Sequence, residues 1–452
     1  LGDTGAKLLF IDEGFGELAD KACGQMDAAP PIVDTPTARA EIAAAQPGDF
    51  AAAGADDAVL QLYTSGTTGN PKGAVLTNAN LFSLRLPAEE AGQPWSSWDE
   101  DEAILICMPC AHIGGTGLGI MAIAAGIRAI VQAEFTPDGV LDAFEQGITR
   151  LFIVPAALQM VVQHPRAKDT DMSAVKYVMY GAAPIPLDLL REAVRTIPGA
   201  GFLQCYGMTE TTGTIAMLPP EDHALDGNQR MRSAGKAVPG AELKVIGLDG
   251  GELPCGEVGE LICDTPFPSM PLYFLGDDDN SRYWSSYFEE IPGVWRHGDF
   301  IKINERGGCY IYGRSDATLN RFGVRIGTSE IYQAVESLDG VSDSLVVCIE
   351  TADGGFYMPL FVSLTAQQRC DEALKQEITR KLKTACSPRH VPDEIIPVPD
   401  IPYTLTGKKL EVPVRKILKG AKADEVASRG SMRNPDSLDF FVDFYREKKH
   451  WM

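Results

Sequence analysis

The stretch Tyr63-Thr64-Ser65-Gly66-Thr67-Thr68-Gly69-Asn70-Pro71-Lys72-Gly73 concentrates three glycines, four Ser or Thr hydroxyls and one lysine. It follows Val59-Leu60-Gln61-Leu62, a short apolar run that reads as a buried strand. Glycine lets a backbone approach an anion closely, and successive N–H groups can then converge on phosphate oxygens. The hydroxyls add donors and Lys72 adds a positive charge. A Gly/Ser/Thr run is ordinarily a flexible surface loop. Here the dense hydroxyls, the Pro-Lys-Gly ending and the strand in front favour a phosphate cradle. Its spacing is not the G-x-x-x-x-G-K-[ST] of a P-loop, so the grip is of another design.

Working outward, a chain of 452 residues with 45% hydrophobic content is a globular protein too long for one core. Forty basic residues against 62 acidic ones give a net charge of −22, which excludes non-specific nucleic-acid binding as a function class. The same balance disfavours anionic membrane surfaces, and cations must be gathered locally wherever phosphate is held. Ten cysteines include one C-x-x-C, Cys107 to Cys110, without a second pair or histidines at zinc spacing. They read as reduced thiols of a cytoplasmic protein. The most apolar stretch, Ile113 to Val131, holds five glycines and Arg128 and does not suit a membrane span. The chain opens at Leu1 and runs directly into the strand-like Ala6-Lys7-Leu8-Leu9-Phe10-Ile11, which reads as a fragment of something longer.

Residues 26–57, rich in Ala, Pro and Asp, read as a loop or loose linker. Beyond them strand and helix signals alternate. Ile104–Cys107, Leu151–Val154, Val175–Tyr180 and Phe202–Tyr206 read as strands, and Pro155–His164 and Pro186–Thr196 as helices. Alternation predicts mostly parallel sheet covered by helices, with ligands beyond the carboxyl ends of the strands. The 63–73 loop and the segment after Tyr206 are both expected in that position. From about residue 237 the texture turns antiparallel, with Glu242–Ile246, a turn at Asp249-Gly250-Gly251 and Gly259–Cys263 suggesting a small barrel. Ile331, Ala334, Val335 and Leu338 follow helical spacing and read as core.

Further segments carry chemistry. Tyr206-Gly207-Met208-Thr209-Glu210 ends a strand with a hydroxyl beside a carboxylate, a natural Mg²⁺ ligand near polyphosphate. Trp295-Arg296-His297-Gly298-Asp299 offers a carboxylate for ribose hydroxyls. Tyr312-Gly313-Arg314-Ser315-Asp316 stands where the texture changes, and Thr404-Leu405-Thr406-Gly407-Lys408-Lys409 sets a lysine on a glycine turn. Taken singly, each is an ordinary exposed loop.

Taken in order, they resemble the core motifs of the adenylate-forming superfamily of acyl-CoA synthetases, luciferases and peptide-synthetase adenylation domains, from about residue 6 to residue 420 or beyond. The resemblance implies an α/β fold. A large N-terminal adenylating domain, residues 1–315, would hold parallel sheets and a small β-barrel. A small mobile α+β lid would span 316–452. It implies ATP, Mg²⁺ and coenzyme A as cofactors and substrates, and a carboxylic acid as the group activated.

Residue by residue, Thr64, Ser65, Gly66, Thr67, Thr68, Gly69 and Lys72 would hold the β- and γ-phosphates. Gly181, Ala182, Ala183 and Pro184 would line the adenine and acyl pocket, and Tyr206 would lie against adenine. Thr209 would reach the α-phosphate, Glu210 would bind Mg²⁺, and Asp299 and Arg314 would hold the ribose. Arg325 would join the nucleotide site and Gly323 the coenzyme A site. His112, which alone reads as a core or surface histidine, would stand beside the acyl group. Asp316 would be the hinge and Lys408 the lysine of the lid.

The implied reaction forms acyl-AMP and pyrophosphate, then passes the acyl group to coenzyme A. Up to about residue 265 the chain is similar to fatty-acyl-CoA synthetases, as in Gly73-Ala74-Val75-Leu76-Thr77-Asn78. From about Met270 it is similar to acetoacetyl-CoA synthetases, as in Gly313-Arg314-Ser315-Asp316-Ala317-Thr318-Leu319-Asn320. Chain length of the acid stays open. Two rivals stand beside the ligase: an enzyme loading acyl-AMP onto a carrier protein, and a truncated nucleotide-binding protein without turnover.

Overall fold

The computed structural model describes the chain except residues 47, 49–51, 65–71, 228–229, 248, 318, 322–323, 352–354, 367, 406 and 449–452; the side chains of Asn320, Arg321, Val324 and Arg325 are also outside the description. A seven-stranded sheet forms its centre, in the order Lys236–Ala237, Ala216–Leu218, Gly201–Tyr206, Tyr177–Gly181, Arg150–Ile153, Ala103–Ile106 and Arg128–Val131. The five strands from Gly201–Tyr206 to Arg128–Val131 run parallel, and the two at the other edge are antiparallel. Parallel strands are covered on both faces and so read as continuous apolar runs, which is why this sheet is legible in the sequence. Helices Pro137–Glu145, Pro155–Val162 and Leu187–Thr196 pack one face with Val140, Leu141, Phe144, Leu158, Leu190 and Ala193.

One buried ion pair ties this sheet to the loop before it. The fully buried Arg150 guanidinium meets Glu102 and donates to the carbonyls of Trp95 and Ser97 at 2.6 Å each. Glu102 also pairs with Lys176 at 2.9 Å, so it is removal of Glu102 that would strand the buried Arg150 charge, at a cost of about 3–5 kcal/mol.

Two expectations are corrected here. Residues 26–57 are not all loop: Ile32–Asp34 is a strand parallel to Leu9–Ile11, and Thr35–Ala44 is a helix. Asp34 caps that helix by accepting from the Thr37 N–H at 2.7 Å, and Pro36 stands in its first turn. The Ala, Pro and Asp that look like linker composition are helix former, first-turn residue and cap. Second, Val59–Leu62 is not wholly buried. Ala58–Thr64 pairs antiparallel with Lys72–Thr77 in a three-stranded sheet completed by Tyr273–Phe274. Val59 is 42% exposed and Leu62 only 6%. The 63–73 loop therefore joins two antiparallel strands, not a parallel strand and a helix.

Leu243–Ile246, Val258–Cys263, Trp295–Ile303 and Cys309–Arg314 form a four-stranded antiparallel sheet where the small barrel is expected. Further on, Val341–Val346, Pro359–Leu364 and Glu394–Pro397 make a three-stranded mixed sheet. Its faces alternate strictly. Val346, Leu360 and Val362 pack with helices Thr328–Val335 and Glu372–Ala385, whereas Leu345, Val347 and Phe361 pack with Glu411–Leu418 and Ser437–Lys448. Ile331, Ala334 and Val335 lie in the first of these cores, as their spacing predicts.

The apolar stretch from Ile113 resolves into a helix, Ile113–Ala125, and the strand Arg128–Val131. Among the described residues no helix is long and apolar enough to cross a membrane. All ten cysteines are free, and Cys107, Cys263 and Cys309 are buried with thiols pushed up to about 12 by desolvation.

Candidate active site

Three parallel strands end on the same side of the central sheet and deliver the first residues of the site. Strand Ala103–Ile106 leads to His112, Tyr177–Gly181 ends at Gly181, and Gly201–Tyr206 ends at Tyr206. A Cβ on Gly181 would stand 2.1 Å from the Cys205 carbonyl oxygen, so only glycine lets these strand ends close up. Ala182 follows with φ of 65°, a left-handed conformation costing a residue with a side chain about 1–3 kcal/mol. Ala183 and Pro184 continue this turn.

Beyond Tyr206 the chain makes a 3₁₀ turn, Thr209–Thr211, opened by Thr209. Glu210 is buried within it. Its Oε1 accepts from the Thr64 hydroxyl at 3.0 Å and from the Tyr287 hydroxyl at 3.0 Å. The end of the Ala58–Thr64 strand thus meets the carboxylate directly. Lys72, at the start of the return strand, donates to Ser286 Oγ at 2.6 Å and lies 5.5 and 5.8 Å from the ring centres of Phe274 and Tyr287. Desolvation lowers the Lys72 pKa, while the Glu210 charge opposes that shift. Tyr287 is fixed by stacking on the buried Trp295, with ring centres 3.9 Å apart and planes 10° from parallel.

Asp299 and Arg314 face one another across antiparallel strands. The Arg314 guanidinium lies 3.6 Å from Asp299 Oδ1 and 3.5 Å from Asp316 Oδ1, and the Tyr206 hydroxyl donates to Asp299 Oδ2. Gly298 has φ of 85°, and a Cβ there would meet the guanidinium at 3.2 to 3.6 Å; glycine makes room for Arg314 to cross the strand. Burial works against the Arg314 charge, but Asp299 and Asp316 outweigh it and push the guanidinium further up. His297, fully buried beside Asp299, is lowered to about 4 by desolvation, against the pull of that carboxylate.

The last cation arrives from far along the chain. Tyr403–Lys409 folds back on itself, with the Thr404 N–H donating to the Lys408 carbonyl at 2.9 Å and Lys408 N–H to Thr404 Oγ1 at 3.0 Å. Lys408 keeps solvent access within the cleft. Desolvation lowers its pKa; Arg314 adds to that shift, and Glu210 and Asp299 oppose it. The Lys408 charge also reaches His112, which burial together with that charge lowers to about 4. His112 Nδ1 accepts from the Gly114 N–H at 3.0 Å. In the neutral ring the proton is therefore on Nε2, and His112 presents a donor.

Thr64, Lys72, Tyr206, Glu210, Asp299, Arg314, Asp316, Lys408 and His112 thus form one linked constellation, flanked by the Gly181–Pro184 turn and Thr209. Ser65, Gly66, Thr67, Thr68, Gly69 and Gly323 lie outside the described residues, and so does the side chain of Arg325. Sequence reasoning missed Tyr287, Ser286 and His297. His297 stands in a segment singled out for Asp299. Nothing in Tyr283-Trp284-Ser285-Ser286-Tyr287 marks which aromatic turns inward. Among the described residues no three His, Cys, Asp or Glu side chains form a metal cluster. A cation here would draw one carboxylate oxygen set from Glu210 and its remaining oxygens from a bound phosphate and water, a donor set that suits Mg²⁺.

Comparison with known proteins gives the family. The model of a family described as AMP-binding enzyme matches residues 1–274. An acetoacetyl-coenzyme A synthetase of Rhizobium meliloti (strain 1021) is 31% identical over 391 residues, covering 84% of this chain and 58% of that protein. A fatty acid–[acyl-carrier-protein] ligase, ScoC of Streptomyces coeruleorubidus, is 33% identical over 374 residues, covering 80% of this chain and 68% of the relative. The solved acetoacetyl-CoA synthetase of Streptomyces lividans superposes with a TM-score of 0.85 at 29% identity, covering 99% of this chain and 71% of that one. The chain spans less than two thirds of the length of the acetoacetyl-coenzyme A synthetase from Rhizobium meliloti. With a family model covering well over half its length, the chain belongs to the AMP-binding enzymes of the adenylate-forming superfamily.

Proposed function

We propose that this chain activates a carboxylic acid with ATP, releasing pyrophosphate, and passes the acyl group from acyl-AMP to coenzyme A. The observation that carries the reading is the convergence of Glu210, Lys72, Lys408 and the Asp299–Arg314 pair on one cleft. An acid and ATP are both anions, and their approach is unfavourable in a site poor in water. Lys72 and Lys408 offset that repulsion while the acid oxygen attacks the α-phosphorus. Thr64 and the 65–71 loop hold the outgoing pyrophosphate. Asp299 accepts from ribose hydroxyls, and Tyr206 and the Gly181–Pro184 turn border the base. His112 presents its Nε2–H to the acid, orienting the carboxylate rather than removing a proton. Mg²⁺ held by Glu210 would supply neutralisation of phosphate charge. Positioning and charge stabilisation account for the rate; no covalent enzyme intermediate is required.

The division at residues 315–316 fits a hinge. The buried apolar clusters before it draw on residues up to Cys309, and those after it begin at Leu319. Residues 314–318 join two separate cores, and Asp316 is tied to the first side through its ion pair with Arg314. The ten free thiols support a cytoplasmic location.

Acid-dependent exchange of labelled pyrophosphate into ATP, across acids from acetoacetate to palmitate, tests the reading and reports the substrate. Absence of exchange with every acid overturns it in favour of a nucleotide-binding protein without turnover. Supplying coenzyme A or a carrier protein in a second step separates the ligase from a carrier-loading enzyme, the alternative favoured by the likeness to ScoC.

A further inference from the structure

The Lys408 hairpin is held from outside itself. After helix Glu411–Leu418 the chain returns to it, and Ser431–Asn434 lies alongside Tyr403–Leu405 through a single bridge and flanking backbone bonds. Thr404 and Met432 form an antiparallel bridge, the Leu405 N–H donates to the Ser431 carbonyl at 2.9 Å, and the Arg433 N–H donates to the Tyr403 carbonyl at 3.1 Å. Asn434 closes this ribbon with three side-chain bonds. Its Oδ1 accepts from the Tyr403 N–H at 2.9 Å, and its Nδ2 donates to the Ile401 carbonyl at 2.7 Å and to the Asp400 carboxylate. Both ends of the amide are thus engaged by the segment leading into the lysine.

Asn434 is in turn fixed by the C-terminal helix. Its carbonyl accepts from the Ser437 hydroxyl at 2.6 Å at the start of helix Ser437–Lys448. That helix buries Leu438, Phe441 and Phe444 against Phe361 and the Glu411–Leu418 helix. On the other side, Arg429 pairs with Asp439 at 2.5 Å and Asp424 at 3.4 Å. The anchor is packed into the core around Phe361, and the hairpin is tied to it through Asn434 and, on its other side, to Glu336 and Asp343 through Lys409.

From this we infer that Asn434 is a positioning residue for Lys408: its amide sets the angle at which the hairpin leaves Ile401–Tyr403, and so how deeply the lysine reaches the cleft. The inference rests on the proposed part of Lys408 in acyl-AMP formation, but the tether itself can be read independently. Displacing a reacting group by about 1 Å costs as much as a hundredfold in rate.

The full chain with Asn434→Ala is expected to lose about tenfold to a hundredfold in kcat for pyrophosphate exchange. The KM for ATP should stay within about twofold, and thioester formation from supplied acyl-AMP should be unchanged. The double variant Asn434→Asp with Asp400→Asn reverses one donor–acceptor pair and keeps the bond from Tyr403, and should restore part of the loss. Hydrogen exchange resolved by peptide should show selective loss of protection in 401–410. Unchanged protection there overturns the tether, and so does equal loss in both half-reactions or a general fall in protection. Selective loss of protection in a chain that shows no exchange with any acid leaves the tether standing and overturns the proposed function instead.

Discussion

The two sides of the cleft hold their charged groups by different means. Asp299 and Arg314 are paired residues inside a four-stranded sheet, backed by Tyr206, His297 and the stacked Trp295–Tyr287 rings. Lys408 stands on a short hairpin held by bonds within its own turn, by the 431–434 segment and by Lys409, which pairs with Glu336 and Asp343. Groups that grip a nucleotide throughout a reaction gain from a stiff frame. A group that acts in one step and then withdraws needs a mount that can travel as a unit.

Breaking the Lys408 side should give the largest effect. Lys408→Ala is expected to lower acyl-AMP formation by about 10²–10³-fold while leaving thioester formation from supplied acyl-AMP largely intact. Equal loss in both half-reactions would erase the contrast between the two sides. Asp299→Ala should act oppositely in pattern, since in the proposed reaction AMP stays bound through both steps. Losing one charged hydrogen-bond acceptor costs about 1.5–3 kcal/mol. Both half-reactions should fall by about tenfold to a hundredfold, with a raised KM for ATP in the first.

Acid should discriminate the two regions next. His112, His223 and His297 all belong to the first region and are lowered from 6.5 to about 4, mainly by desolvation. Above pH 6.5 they carry no penalty. Between 6.5 and about 4 the unfolded chain takes up protons that the folded one refuses, so stability falls as pH falls. The slope is about 1.4 kcal/mol per pH unit for each histidine. Denaturant unfolding followed region by region should show the first loosening earlier on acidification, and His223→Gln should flatten that limb by one histidine's share. The smallest effect is expected from Ala182→Gly. It relieves the left-handed φ of 65° but adds unfolded-state entropy, for a net gain of about 1 kcal/mol or less in a thermal melt.

The central sheet was readable from the chain because parallel strands leave local signatures, and the candidate site was legible only through the order of its segments and the family they resemble. The runs ending at Gly181 and Tyr206 are continuous and apolar, and Glu210, Asp299, Arg314 and Lys408 stand in compact polar motifs. The unreadable part depends on distant partners. Tyr287 matters because Trp295 stacks on it and Glu210 accepts from it, neither of which shows in its neighbours. The antiparallel setting of Ala58–Thr64 depends on pairing with Lys72–Thr77 and, through that strand, with Tyr273–Phe274, some 200 residues on. The helix Thr35–Ala44 is hidden for a different reason: its Pro and Asp look like breakers, when at a first turn they begin a helix.

Lys408 has a twin whose part is different. Lys409 turns away from the cleft, pairs with Glu336 and Asp343, and packs 4.0 Å from the centre of the Tyr332 ring. Because neighbouring strand residues face opposite ways, a slip of one residue would exchange their sides. If the ribbon slid so that Lys409 entered the cleft, Leu410 would meet the two carboxylates in place of an amine. If it slid the other way, the carboxylates would still find Lys408, but Gly407 would stand in the cleft. The Lys409 pairs therefore disfavour a slip in one direction, and a slip in the other would set a glycine where the proposed amine stands.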